Sequence, residues 1–304
     1  MSWIILCFAL LGRQSCAEAF KTVPHQKGVD ILHWEDLQER GANTTGMIPS
    51  WLRSVPDKPP PRIFTYNVSV DQVISKDIQR FGVWEESITR AICRVAAEAR
   101  AGNFLDVGAN IGAHTLAVVP CFGNQSSIYS VEAVPSNVEH LVASVLANGY
   151  KNVVVVPNAV GSPWDPPTIK MEVNKFSKGA SRLASNKSTA EWHDETQVKL
   201  STLDAIAERE PGMMKLLYMK MDIEGSEGRA LQGAKKLLSK APPCHVSVEL
   251  NPVLLERVGS HFNDVVARLE GAGYDTRAIP LGESNTFSVT QRNLQHCLQR
   301  LRGS

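Results

Sequence analysis

Two glycines, Gly108 and Gly112, set in Asn103–Thr115 (NFLDVGANIGAHT), constrain this chain more than any other feature. A short apolar run, Phe104-Leu105, ends at Asp106. A turn on the two glycines follows, and Ala113 to Val119 then reads as an apolar helix that Pro120 stops. Strand, glycine turn and helix in that order open a nucleotide-binding α/β sheet. Glycine suits the turn because a Cβ would keep the backbone from closing tightly or approaching a ligand. The spacing Gly108-x-x-x-Gly112 is not the Gly-x-Gly-x-x-Gly of a pyrophosphate-binding turn.

The chain beyond the turn alternates strand and helix. Ser127–Val131 is a strand pattern ending at Glu132, and Pro135–Asn148 a helix with Pro135 in its first turn. Val153–Val156 is an unbroken β-branched run, as in a strand covered on both faces. Strands are expected at Leu216–Met221, ending at Asp222, and at His245–Val248, ending at Glu249. Helices are expected over Glu227–Ser239 and Phe262–Glu270, and Gly271–Tyr274 turns into a last strand region. Upstream, residues 63–68 alternate like a strand and Glu85–Arg100 like a helix. The pattern predicts an α/β fold, a doubly wound and mostly parallel sheet with helices on both faces.

Asp106, Glu132, Asp222 and Glu249 each stand just after an apolar strand run, where an open parallel sheet places its ligand crevice. Glu132 follows at the distance where an acid accepts hydrogen bonds from ribose hydroxyls. A dinucleotide presents a pyrophosphate, which an acid beside the turn would repel. S-adenosylmethionine presents an ammonium and a sulfonium, which Asp106 suits. The turn therefore favours S-adenosylmethionine over a nicotinamide cofactor.

Composition bounds the alternatives. With 304 residues and a formal charge of +1, the chain offers no whole-chain argument for nucleic acid or an anionic membrane. Six cysteines without a CxxC argue against structural zinc. Trp3–Gly12 is an apolar stretch too short for a comfortable span, and Ser15 and Ala17 supply small residues for cleavage. Residues 1–17 are therefore expected to be a signal peptide, although the n-region lacks Lys and Arg. No stable membrane span is expected after cleavage. That leaves Cys93, Cys121, Cys244 and Cys297, either as free thiols or as disulfides. Sequons at Asn43, Asn67, Asn124 and Asn186 suit a glycoprotein of the secretory lumen (endoplasmic reticulum or Golgi) or a secreted one. If the N-terminal segment is not a signal, the cytoplasm is the alternative. Residues 18–62, rich in Pro and polar residues, are expected to form an extended leader, 63–290 the domain, and 291–304 a basic, solvated tail.

At this point the chain resembles the FkbM family of S-adenosylmethionine-dependent methyltransferases. The resemblance runs over residues 63–279 and rests on FLDVGANIGAHT (104–115), SVEAVPSN (130–137), LLYMKMDIEGSE (216–227) with LQGA (231–234), and HVSVELNP (245–252). FGVWEE (81–86) and STLD (201–204) are also similar to that family. The resemblance implies a Rossmann-like class I methyltransferase acting on hydroxyl oxygens, often of sugars or polyketides. It implies that Asp106, Gly108, Asn110 and Gly112 surround the methionine part of the cofactor and that Glu132 holds the ribose. Asn158 and Ala159 would border the adenine, and Trp84 and Glu85 would close over the cofactor from the N-terminal side.

An alcohol oxygen needs a base or a metal to relieve it of its proton. Asp222 is expected to touch the cofactor and to position or deprotonate the acceptor, with Glu224 and Glu249 completing a polar cradle. A metal-free site is the first expectation; an ion on Asp222, Glu249 and Asn251 is the alternative. Lys220 is expected to pair with one of these acids, and His114 to pack beneath the cofactor. The polar stretch Ser177–Gln197, with Trp192 and His193, is the candidate substrate-facing insertion, and His193 is a second candidate base. The acceptor would be a small molecule or glycan with a free hydroxyl. The competing readings are a non-catalytic cofactor-fold module and an NAD-dependent oxidoreductase.

Overall fold

The computed structural model describes residues 28–53, 58–184, 193–280 and 282–302. The expected signal peptide, the Asn186 sequon and Trp192 lie outside the described residues. The described chain begins with α1 (Trp34–Arg40), β1 (Ile48–Trp51), β2 (Arg62–Thr65), α2 (Ile74–Phe81) and α3 (Glu86–Ala99). The glycine-turn unit is β3 (Asn103–Val107) and α4 (Ala113–Phe122), followed by β4 (Ile128–Val131), α5 (Pro135–Asn148) and β5 (Val153–Val156). Then come β6 (Ala159–Val160), β7 (Thr168–Asn174), β8 (Arg182–Leu183) and β9 (His193–Ser201). The chain continues through α6 (Leu203–Arg209), β10 (Leu216–Met221), α7 (Glu227–Gln232), α8 (Lys235–Lys240) and β11 (His245–Leu250). It ends with α9 (Pro252–Arg257), α10 (Phe262–Gly271), β12 (Asn285–Thr290) and α11 (Leu294–Arg302).

The main sheet has the order β12-β11-β10-β3-β4-β5, parallel throughout except for the antiparallel edge strand β12. Every residue of β3, β4, β5 and β10 is buried, as expected of strands covered on both faces. Alternate side chains feed two cores: Leu105, Met219 and Val246 pack with α7, α8 and α10, while Phe104, Ile128 and Tyr218 pack with α4 and α5. From β3 the chain runs outward first to β4 and later to β10 on its other side, so the sheet reverses direction between β3 and β10. Ligands bind at such a switch point.

Several local expectations are corrected. Pro120 does not stop α4, which runs on to Phe122 and ends at Gly123; a proline in the last turn forfeits only one backbone hydrogen bond there. The single helix expected over 227–239 is two helices. Asp204 accepts the N–H groups of Lys236 and Leu237 and so starts α8 afresh. Within the polar stretch expected as an insertion, Arg182–Leu183 form β8 and His193 opens β9, which pairs with β7 from Asn174↔His193 to Thr168↔Lys199. The basic tail is not solvated. Leu294, Cys297, Leu298 and Leu301 pack as a helical stripe against Leu217 and Cys244, and Arg300 donates to the Met214 and Pro242 carbonyls.

The described part of the leader is also packed rather than extended. Val29, Leu37 and Leu52 are buried, and β1 pairs antiparallel with β2 from Ile48↔Thr65 to Trp51↔Arg62. The segment docks along one face of α5. Asn148 exchanges hydrogen bonds with both backbone groups of Arg62 (2.8 and 2.6 Å), Ser144 Oγ accepts from the Phe64 N–H (2.9 Å), and the His140 ring lies 3.8 Å from that of Tyr66. Two strand residues rise about as far as four helix residues, so alternate positions of β2 meet successive turns of α5. Asn158 Oδ1 accepts from the Asp30 N–H, and its amide donates to the Gly28 carbonyl. The four cysteines within the described residues form two disulfides: Cys93–Cys121 joins α3 to α4, and Cys244–Cys297 joins the start of β11 to α11.

Candidate functional site

The strand ends at the switch point border a cleft of about 540 Å³, open mouth included, within the size range of small-molecule sites. One wall is the glycine turn and strand ends: Gly108, Asn110, Glu132, Asn158, Ala159 and Asp222. The opposite wall comes from the antiparallel insertion: Met171, Lys178, Gly179, Ser181 and Leu183. Glu224 and Ser226 line the acid end. Gly108 sits at φ +85°, and a Cβ there would stand 1.8 Å from the Asp222 carbonyl oxygen. The turn thus packs backbone to backbone on the end of β10, and glycine is required for contact as well as for conformation.

On the glycine-turn wall, Glu132 is held by several donors. Its Oε2 accepts from the Asn110 N–H at 2.8 Å, and its Oε1 accepts from the Val134 N–H at 2.8 Å and from Asn137 Nδ2 at 3.3 Å. Burial pushes its pKa up while these donors pull it down, leaving it raised on balance.

The acid end carries Asp222, Glu224 and Glu249, with one oxygen of each lying within 4.8 Å of the others. Lys220, buried on β10, donates to Asp222 at 3.1 Å. Burial opposes its charge, but Asp222, Asp106 and Glu85 together hold its pKa above the ordinary lysine range. Burial acts to raise Asp222, yet the Lys220 charge wins and holds its pKa below the usual carboxylate value. Burial and the Asp222 charge push Glu249 up. Glu224, on a left-handed backbone at φ +53°, is lifted to about 8 by burial and by Asp222 and Glu227, against the pull of Arg182 and Lys220. The three carboxylates can hold a cation. Asn251 is not available to join them, because its Oδ1 caps α9 by accepting from Val253 and Leu254.

Five expected residues lie outside the cleft lining. Trp84, just ahead of α3, is partly buried and packs against the core that includes Phe104 and Leu141. Glu85 turns its carboxylate to His114 Nε2 at 3.0 Å, whose Nδ1 faces Thr89 Oγ1 at 3.1 Å. Asp106 lies fully buried under the turn. Its Oδ2 accepts from Thr115 Oγ1 at 2.7 Å, while Oδ1 has no hydrogen-bond partner among the described residues. Gly112, at φ +91°, caps α4 against Leu141, and Glu249 stands behind Asp222 rather than in the lining. Asn158 reaches the cleft, but its amide is committed to Gly28 and Asp30. His193 opens β9 and faces Arg182 Nη2 at 3.3 Å, while Arg182 Nε donates to the buried Glu172 at 3.1 Å. Sequence reasoning missed Asn137, Lys178 and Arg182. Asn137 stood inside the SVEAVPSN motif, whereas the other two needed the strand register.

A family model described as the methyltransferase FkbM domain matches residues 106–276, more than half of the chain. The chain belongs to the FkbM methyltransferase family. Its cofactor is S-adenosylmethionine. This FkbM chain is also similar in fold to a methyltransferase FkbM from Methylobacillus flagellatus KT, at 16% identity and a TM-score of 0.39 over 63% of this chain and 44% of that one. The chain therefore spans less than half of that relative. Cofactor-bound Rv0187 from MTB is similar at 15% identity and a TM-score of 0.39, over 70% of this chain and 82% of that one. TYW2 of M. jannaschii, solved in complex with AdoMet, is similar at 10% identity and a TM-score of 0.33, over 69% and 82%. No curated protein matches the chain significantly.

The FkbM site's residues fit this cofactor chemically. The surplus of buried acid around one lysine suits a ligand with ammonium and sulfonium groups, the unpartnered Asp106 Oδ1 adds an acceptor beneath the turn, and Glu132 suits a diol.

Proposed function

We propose that this FkbM methyltransferase methylates a hydroxyl oxygen of a sugar, glycan or small metabolite, with Glu224 as the general base. The observation that carries this reading is Glu224 itself, a cleft-lining carboxyl with a pKa near 8 beside Asp222. A general base works best when its pKa lies near the operating pH. Asp222, held ionised by Lys220, accepts a hydrogen bond from the acceptor and aligns it. Glu132 receives the ribose hydroxyls, and the Gly108 turn carries the methionine end. Bound S-adenosylmethionine supplies a methyl group already activated on a sulfonium. Glu224 would take the hydroxyl proton as the oxygen–methyl bond forms and the sulfur–methyl bond breaks, its electron pair staying on the sulfur of the departing S-adenosylhomocysteine, and alignment would provide much of the rate. The reading is tested by incubating the protein with labelled cofactor and fractionated glycans and metabolites, then locating the methyl by mass spectrometry. Label on oxygen supports it; label on nitrogen or carbon overturns it.

A lumenal setting belongs to the same reading. Two disulfides suit an oxidising compartment, and the sequon residues Asn43, Asn67 and Asn124 are exposed. Made in a secretory host, the protein should lose mass on enzymatic removal of N-glycans, and N43Q, N67Q and N124Q should each remove one step. A chain carrying no glycan at any of them overturns the lumenal assignment.

A further inference from the structure

Glu132 sits at the end of a buried polar chain that starts on the N-terminal segment. The Tyr66 hydroxyl donates to Asn137 Oδ1 at 2.8 Å, and Asn137 Nδ2 donates to Glu132 Oε1 at 3.3 Å. All three side chains are at least nine-tenths buried. The direction of the chain follows from chemistry. An ionised carboxylate only accepts, so the NH₂ of Asn137 faces Glu132 and its carbonyl is left for a donor. Tyr66 is that donor, and burial keeps its hydroxyl protonated far above the ordinary tyrosine range. Its ring is held against His140, and its backbone N–H is bound to Ser75 Oγ at 3.1 Å. Glu132 Oε1 thereby accepts from Val134 and Asn137, and Oε2 from Asn110 of the glycine turn.

We propose that Tyr66 and Asn137 are positioning residues for cofactor recognition: Tyr66 locks the Asn137 amide, and Asn137 turns the Glu132 carboxylate so that Oε2 faces the ribose hydroxyls. The proposal rests on the reading of Glu132 as the ribose acceptor. It gives residues 28–66 a functional task, because the docking of β2 along α5 sets where the Tyr66 hydroxyl stands. The Tyr66 hydroxyl reaches Glu132 through Asn137, so its removal should register chiefly in ribose discrimination.

The test compares the affinities of S-adenosylhomocysteine and its 2′-deoxy analogue by calorimetry in the wild type and in Y66F, N137A and E132Q. The wild type should prefer the intact ribose. Y66F and N137A should each shrink that preference about fivefold, as expected for one hydrogen bond, with the affinity for the deoxy analogue nearly unchanged. A purely structural role would weaken both ligands alike, and that result, or an unchanged preference, overturns the proposal. E132Q separates the two layers. If it abolishes the preference while Y66F and N137A do not alter it, only the relay fails. If E132Q leaves the preference intact, Glu132 is not the ribose acceptor and the reading beneath the proposal fails. Y66F removes one oxygen atom from a packed ring, and its melting temperature, taken alongside, verifies that the fold is kept.

Discussion

The parallel sheet holds its site residues by burying strands on both faces, whereas residues 28–66 reach the cleft along a row of polar side chains on α5. In the sheet, Asp222 and Glu132 stand at the ends of strands whose every residue is buried. For the N-terminal segment, Asn148, Ser144 and Asn137 on one face of α5 bind backbone groups of β2 and the Tyr66 hydroxyl. The first device is strong and non-directional, because it scales with apolar area. The second is individually weak but fixes register, because each hydrogen bond has one geometry. A site that needs one carboxylate aimed within a fraction of an ångström gains from having both.

The comparison is broken most severely at the acid end of the sheet. E224Q should lower kcat by about 10²–10⁴, the usual worth of a general base, while leaving cofactor affinity near the wild-type value; unimpaired turnover would remove Glu224 from the mechanism. The same variant has a pH signature. Glu224 rises from an ordinary 4.5 to about 8 in the folded protein, so between those values the folded state holds a proton that the unfolded chain has released. Stability therefore falls as pH rises through that window. E224Q should remove this share of the fall in melting temperature. The N-terminal segment gives the next effect. Leu37, fully buried on α1, should cost about 2–5 kcal/mol when replaced by alanine, read by denaturant unfolding. A loose leader would cost nearly nothing, so a null result would end the comparison. The smallest effect sharpens it: S144A strands the Phe64 N–H and should cost about 1–3 kcal/mol, with faster hydrogen exchange in β1 and β2 than in β3.

Much of the sheet was legible in the sequence because its signals are local. Apolar runs at 104–105, 128–131, 153–156, 216–221 and 245–248 mark strands by themselves, and of the four acids beside them Glu132 and Asp222 reach the cleft. What failed was non-local. Residues 28–62 looked unpacked because Leu37 and Leu52 are isolated in sequence, and they become core only in the cluster that also holds Phe104 and Leu141. The signal was present on the other partner. Asn137, His140, Ser144 and Asn148 are polar positions on one face of an otherwise apolar helix, a stripe that asks for hydrogen-bonding company. The family resemblance placed Trp84 and Glu85 over the cofactor; Glu85, on a left-handed backbone (φ +42°), gives its carboxylate to His114. The basic residues of the C-terminal segment masked the apolar stripe that seats α11.

The Cys93–Cys121 bridge has a consequence for making the protein. It closes a loop with a sequence separation of 28 residues, which by chain entropy limits the unfolded state by roughly 3–4 kcal/mol. It also ties α3, whose start presents Glu85, to α4, whose start presents His114. A chain produced in a reducing bacterial cytosol forfeits both the stabilisation and the brace. Such material would enter an assay with its glycine-turn helix less firmly anchored, and weak activity there would report the redox state of the preparation and not the capacity of the site.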